Sequence, residues 1–327
     1  VTTDTLTSVV GDGIVQIRLP MTGNPMRHIN GYLVPEDDGF TLIDCGWKAD
    51  DVLAALEAGL AEHDATLGDV QRIVVTHMHF DHYGLAGTLR RAGVPHLLLH
   101  ADDWHFASRI LTNPALADQA ANDWLGRNGY AVEPSEEEAE HHRLNELTEP
   151  TRRIADGESI GRLRVVWTPG HTPGHVCLVD TVSGKMFTGD HVLDPVTPHV
   201  GFWSEHHGDP LGNYIASLHK VSKIGAAGVL PAHGEPFPDL DRRVGELLAH
   251  EATREGQIVA AFGGAAASGA EIAARLPWTR RNKSFAELNA FHQEFAVAET
   301  LAHLEHLRGT HRATRDDVGG VLRYALA

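Results

Sequence analysis

Short apolar runs closed by Gly, Pro, Asp or His punctuate the first three quarters of the chain. Residues 13–18, 28–35 and 40–44 alternate apolar and polar positions as half-buried strands do. Residues 50–63 change to helical spacing, with Val52, Leu53, Leu56 and Leu60 on one face. Residues 73–75 then predict a strand, 84–91 a helix and 95–100 a strand. Further along, strands are predicted at 162–167, 176–180 and 185–188, a helix at 211–224 and a strand at 228–230. Interleaving of this kind predicts a mixed α/β fold.

Two stretches leave that pattern. Residues 101–150 form an insertion, rich in helix formers up to Gly129 and carrying Trp104, Phe106, Ile110, Leu111, Leu116 and Trp124. Its acidic run, residues 133–140, reads as solvated surface, and the helical part as a lid. From residue 241 the chain changes again: helices are expected at 242–261, 270–276 and 285–307. The last carries an apolar stripe of Leu288, Phe291, Phe295, Ala298, Leu301 and Leu304. Two short strands about Asp316-Asp317-Val318-Gly319-Gly320 follow. The expected division is therefore a catalytic domain over 1–240 and a smaller one over 241–327.

The chemistry concentrates in Thr76-His77-Met78-His79-Phe80-Asp81-His82, directly after the strand at 73–75. Imidazoles at i and i+2, a carboxylate and a third imidazole suit a borderline-soft dication such as zinc, and the Asp adds a hard oxygen donor for a second ion. Three isolated residues later in the chain share one setting, each closing an apolar run: His171, Asp190 and His233. A donor at a strand end is held by a rigid element. Any one of these is weak evidence alone; the ordered set is specific.

These residues resemble the metallo-β-lactamase fold superfamily. His77, His79, Asp81 and His82 match its HxHxDH signature, and His171, Asp190 and His233 match its later positions in order. Thr41-Leu42-Ile43-Asp44-Cys45-Gly46 looks like its strand ending in Asp and Gly. The resemblance covers about residues 10–240 and implies an αββα sandwich. It implies that His77, His79 and His171 hold one ion, that Asp81, His82 and His233 hold another, and that Asp190 bridges them. The implied cofactor is zinc, two ions per chain, with iron or manganese compatible. The implied reaction is hydrolysis by a hydroxide shared between the ions, Asp81 and His82 being catalytic. Members that are true β-lactamases carry Cys or Ser at the Asp190 position. A bridging Asp instead resembles the branches cleaving thioesters, lactones and phosphodiesters. The helices and hairpin at the end resemble the winged-helix appendix of one branch.

Charge and composition narrow the reading. The formal net charge is −17, and residues 241–327 balance 11 Lys/Arg against 11 Asp/Glu, so the excess lies in the first 240 residues. No basic stripe marks a polyanion-binding face, which disfavours nucleic acid as the partner. Cys45 and Cys177 are too few for a disulfide framework. No apolar stretch is long enough to span a bilayer, and the first residues lack a signal-peptide pattern, so a cytoplasmic location and no membrane partner are expected. Homo-oligomerisation stays open.

The expected function is a dinuclear metallohydrolase cleaving an ester, thioester or lactone of a small or carrier-linked acyl substrate. The alternatives are a phosphodiesterase or ribonuclease, a mononuclear iron oxygenase, a β-lactamase, and a transcriptional sensor using the terminal helices. Around the core motif, His175 is expected to orient a ligand, with His191, His199, Phe202, Trp203 and Tyr214 walling the pocket.

Overall fold

The computed structural model describes residues 5–132, 147–202, 208–279 and 281–327. The acidic run at 133–140, His141, His142 and Trp203 lie outside the described residues.

One sheet has seven strands whose spatial order follows the chain: β1 (Thr7–Gly11), β2 (Ile14–Pro20), β3 (His28–Glu36), β4 (Gly39–Ile43), β5 (Val70–Val74), β6 (His96–His100) and β7 (Arg152–Ile154). Strands β1 to β4 run antiparallel and β4 to β7 parallel. A second sheet holds β8 (Ser159–Ile160), β9 (Leu163–Trp167), β10 (Val176–Asp180), β11 (Met186–Gly189) and β12 (Val229–Pro231), in the order β12-β11-β10-β9-β8. The expected sandwich is present. The strands missed in the sequence are β1, β7 and β8. They are short or lie at a sheet edge, and Val9 of β1 is 64% exposed, so they leave no buried-face periodicity to read.

Between the sheets, Tyr32, Val34, Ile43, Val74 and Leu98 meet Val165, Leu178, Phe187 and Leu230. Strand β10 is apolar on both faces: Val176 and Leu178 enter this core, whereas Cys177 and Val179 join the helical layer behind. A strand covered on both sides has to be a continuous apolar run. Leu178→Ala would cost about 2–5 kcal/mol by transfer and cavity terms. On the outer face of the first sheet, Val15, Ile17 and Leu19 pack on Val52, Leu56 and Leu60 of the helix Asp50–Ala61. The helix expected at 84–91 is present as Ala86–Arg91, preceded by a separate helical turn, Phe80–Tyr83, within the histidine-rich motif.

The outer face of the second sheet carries helix Pro210–Ile224 and then the C-terminal helices Leu240–Ala261, Gly269–Ala273 and Ala290–Gly309. A hairpin of β13 (Ala313–Val318) and β14 (Val321–Leu326) ends the chain. Its turn, Gly319-Gly320, has φ of 65° and 89° at its centre, a backbone that suits two glycines. Residues from 240 onward share one continuous apolar cluster with β9, β10 and β11. The last long helix starts later than expected, at Ala290, where the Asn289 side chain accepts from His292 N at 3.0 Å. Its burial also differs from a single stripe. From Ala296 to Leu304 nearly every side chain is buried, while Phe291 is 45% exposed. The helix is enclosed by its neighbours in its second half, so an amphipathic pattern does not describe it.

Candidate metal centre

The strand ends of both sheets converge on one place. Strand β5 leads into Thr76 and the four motif residues; the turns after β9, β11 and β12 deliver His171, Asp190 and His233. The loop bearing His233 is fixed from the opposite sheet. Asn30 Nδ2 donates to Pro231 O (3.0 Å) and Gly234 O (2.8 Å), and Tyr32 Oη donates to Pro231 O at 2.8 Å. Gly189 precedes Asp190 with φ of 48°. A Cβ there would meet His175 Nε2 at 2.7 Å and Thr76 Oγ1 at 2.8 Å, so the close approach requires glycine.

All seven expected residues are brought together, in two halves. In the first, His77 Nε2, His79 Nδ1 and His171 Nε2 lie 2.9, 3.0 and 3.2 Å from one another. In the second, His233 Nε2 is 3.2 Å from Asp81 Oδ2, and His82 Nε2 is 3.6 Å from the same oxygen. Asp190 spans both: Oδ2 is 3.7 Å from His171 Nε2 and 3.6 Å from His82 Nε2, and Oδ1 is 3.6 Å from His233 Nε2.

Hydrogen bonds fix which ring nitrogens face inward. Thr76 Oγ1 donates to Asp44 Oδ2 (2.8 Å), so its oxygen is free to accept from His77 Nδ1 at 3.1 Å. His171 Nδ1 donates to His199 O at 2.7 Å. His82 Nδ1 donates to Asp44 Oδ2 at 2.8 Å. Each bond leaves the opposite nitrogen's lone pair turned into the site, as a metal ligand requires. Asp44 is a residue whose role sequence reasoning missed: the chain marks it only as the end of a strand. It is buried, has φ of 55°, and also accepts from Thr76 N at 2.8 Å. Asp103, in the first helix of the insertion (Ala101–Thr112), was missed entirely. This buried carboxylate accepts from Met78 N (2.8 Å), Thr172 Oγ1 (2.8 Å) and Gly174 N (2.6 Å), tying the two loops that carry His77, His79 and His171. Burial pushes its pKa up to about 6 against those bonds. No sequence signal marks it, because its partners are mostly backbone groups remote in the chain.

The two halves have opposite electrostatics. Burial, reinforced by the neighbouring imidazoles, drives His77 well below the ordinary histidine range; burial takes His79 down to about 3 and also lowers His171. In the second half burial again opposes charge, but Asp81, Asp44 and Asp190 together raise His82 well above the ordinary value, and Asp190 and Asp81 raise His233. Against the cost of burial, His82 and His233 hold Asp81 down at about 2, and His233 and His82 hold Asp190 well below the usual range.

The donors fit divalent ions. Zinc binds imidazole at about 2.0–2.1 Å in tetrahedral sites, which sets nitrogen–nitrogen edges of roughly 3.3 Å. The three imidazole nitrogens of the first half lie close to that spacing. Among the described residues, buried His82 Nε2 and Asp190 Oδ1 have no hydrogen-bond partner, a costly condition that a cation would relieve. Among the described residues, three groups of His and Asp offer ligand atoms within 4.8 Å of one another: His77/His79/His171, His77/His82/Asp190 and Asp81/His82/His233.

The surrounding residues differ in part from expectation. His175 Nε2 accepts from Asp190 N at 3.2 Å and its Nδ1 lies 2.8 Å from Thr168 Oγ1, so it holds the backbone of Asp190. Phe202 and Tyr214 are buried among the helices behind the site and supply packing there; Tyr214 Oη donates to His191 O at 3.2 Å. His191 is fully buried, while half-buried His199 serves through its carbonyl. Cys45 and Cys177 are buried free thiols, as expected.

Comparison with known proteins gives a consistent picture. The model of the metallo-beta-lactamase superfamily matches residues 25–233. The chain is 28% identical over 245 residues to a probable metallo-hydrolase, YqjP, of Bacillus subtilis, covering 69% of this chain and 73% of that protein. It is 29% identical over 238 residues to the atrochrysone carboxyl ACP thioesterase AacuM of Aspergillus aculeatus, covering 73% of this chain and 61% of that one. The chain thus spans about three fifths of that fungal relative. Among solved structures, a metallo-beta-lactamase family protein from Thermus thermophilus superposes with a TM-score of 0.84 at 29% identity, over 98% of this chain and 100% of that one. A beta-lactamase domain protein from Burkholderia ambifaria gives 0.80 at 28% identity, over 99% and 98%. Both likenesses run through the C-terminal helices.

Proposed function

Because the chain belongs to the metallo-beta-lactamase superfamily, we propose that it is a dinuclear metallohydrolase, most simply a zinc enzyme, that cleaves an ester or thioester of a small or carrier-linked acyl group. The observation that carries this reading is Asp190, whose two carboxylate oxygens reach both imidazole groups. A carboxylate at that point would be placed to serve both groups when ions are bound. His77, His79 and His171 would hold one ion, and Asp81, His82 and His233 the other. Bound there, the ions supply Lewis acidity and make water acidic near pH 7.

The protein's own groups then divide the work. Asp81 stays ionised beside His82 and His233, and its carboxylate would orient a water in the site by accepting a hydrogen bond from it. Asp44 holds the His82 ring so that Nε2 faces the same space. The substrate class is supported by two further facts: a relative named as an ACP thioesterase, and a net charge of −17 with no visible basic stripe, which disfavours a polyanion.

The test is elemental analysis of protein purified without added metal, with thioester, lactone and bis(p-nitrophenyl) phosphate turnover on the same sample. Two zinc ions per chain with acyl turnover are expected. Turnover of the phosphodiester alone would replace the acyl reading with a phosphodiesterase. One iron per chain without hydrolysis would overturn the hydrolase.

A further inference from the structure

The loop from His191 to Phe202 leaves the metal centre and is pinned from outside by the C-terminal helices. Arg243, 8% exposed, donates through Nη2 to Val196 O at 2.8 Å and through Nε to Leu193 O. Arg242 Nη2 pairs with Asp194 Oδ2 at 2.6 Å. Phe202 N donates to Ala298 O at 3.0 Å. The His199 ring packs on Phe295 with centroids 4.5 Å apart, and its Nε2 donates to Phe295 O at 3.1 Å. Between these anchors the backbone carbonyl of His199 accepts from His171 Nδ1 at 2.7 Å.

A carbonyl oxygen only accepts. Its position therefore selects the tautomer of His171 with hydrogen on Nδ1 and leaves the Nε2 lone pair facing His77 and His79. We propose that His199 and Arg243 are positioning residues through which the C-terminal helices set the tautomer and ring angle of His171. The terminal segment then belongs to the metal site. It acts by holding one carbonyl in place, a role distinct from that of a separately docked nucleic-acid-binding unit. The proposal rests on His171 being a metal ligand, as argued above.

The predicted consequence follows from how outer partners of metal-bound histidines behave: their loss typically weakens metal binding 10–100-fold. Without the His199 ring tether, the 191–202 backbone is free to turn the carbonyl away, and His171 divides between two tautomers.

The experiment uses full-length protein and three variants: His199→Leu, which fills similar space without a donor; His199→Gln, which restores a donor toward Phe295 O; and Arg243→Lys. The ring 15N shifts of His171 are read by NMR in metal-free protein, and zinc affinity by competition with a chromophoric chelator. Wild type and His199→Gln are expected to show His171 with hydrogen on Nδ1. His199→Leu is expected to show mixed tautomers and roughly tenfold weaker zinc binding, with Arg243→Lys shifted in the same direction. A His199→Leu protein with an unmixed Nδ1–H tautomer and wild-type zinc affinity would overturn the proposal. If wild type itself bound no zinc, the metal-site reading would fail, while the tautomer measurement would still decide the positioning role.

Discussion

The two halves of the candidate metal centre use the same imidazole donor in opposite environments. His77, His79 and His171 face one another without a carboxylate of their own, and burial keeps them neutral. His82 and His233 sit among Asp44, Asp81 and Asp190, whose charges raise their pKa values against the cost of burial. Protons therefore compete with a cation more strongly in the second half than in the first. Histidine count alone says nothing of this; the position of three carboxylates decides it.

The change that tests both halves together is Asp190→Ala. It removes the group they share and is expected to lower turnover by roughly a thousandfold, about 4 kcal/mol in the barrier. Wild-type turnover and metal content in that variant would remove Asp190 from the site. His79→Ala separates the halves: elemental analysis should find the all-imidazole ion lost and the other retained, with turnover down at least roughly a hundredfold. Loss of both ions in equal measure would mean that the halves are one cooperative unit.

Asp44→Asn addresses chiefly the second half, since Asp44 meets His82 directly and His77 only through Thr76. The His82 ring keeps a neighbour but loses its charged acceptor, and metal affinity there is expected to fall 10–100-fold. Titration with a competing chelator should find the first half less affected, because its link to Asp44 runs through Thr76. A comparable effect is the pH dependence of uptake. In the second half the folded pKa values of His82 and His233 are raised, so protons compete more strongly as pH falls, and affinity should drop about tenfold per pH unit for each proton displaced. In the first half the values are depressed, so uptake should stay nearly level through pH of about 7 to 6.

The metal-free protein carries the same opposition in its stability. The raised pair contributes stability that is full below pH about 6.5 and is lost as pH rises through the folded values. The depressed trio costs stability as pH falls below about 6.5, because the unfolded chain then binds more protons. Chemical denaturation of metal-free protein across this range, with and without His82→Gln, reads the first contribution directly.

Much of this was legible in the chain. The motif from His77 to His82 is local, and a strand end followed by a turn gathers donors a few residues apart by geometry alone. His171, Asp190 and His233 could be found because each closes an apolar run and the set keeps a fixed order. The paired sheets follow from runs such as Val176–Asp180, whose apolar character on both faces requires cover on both. Asp44 and Asp103 were not legible as site residues. The first binds Thr76 and His82 across two neighbouring strands; the second binds groups on loops almost a hundred residues apart in the chain.

The C-terminal segment marks the same boundary. Sequence periodicity located its helices and hairpin, with an error at the start of the last long helix, because capping and local spacing are short-range properties. That the segment shares an apolar cluster with the second sheet, and holds the loop that orients His171, depends on which faces meet after folding. Local pattern determined what each stretch of this chain is and which donors it carries. Only the tertiary structure decided which carboxylates stand beside which imidazoles, because charge state and ring orientation are set by neighbours that the linear chain keeps far apart.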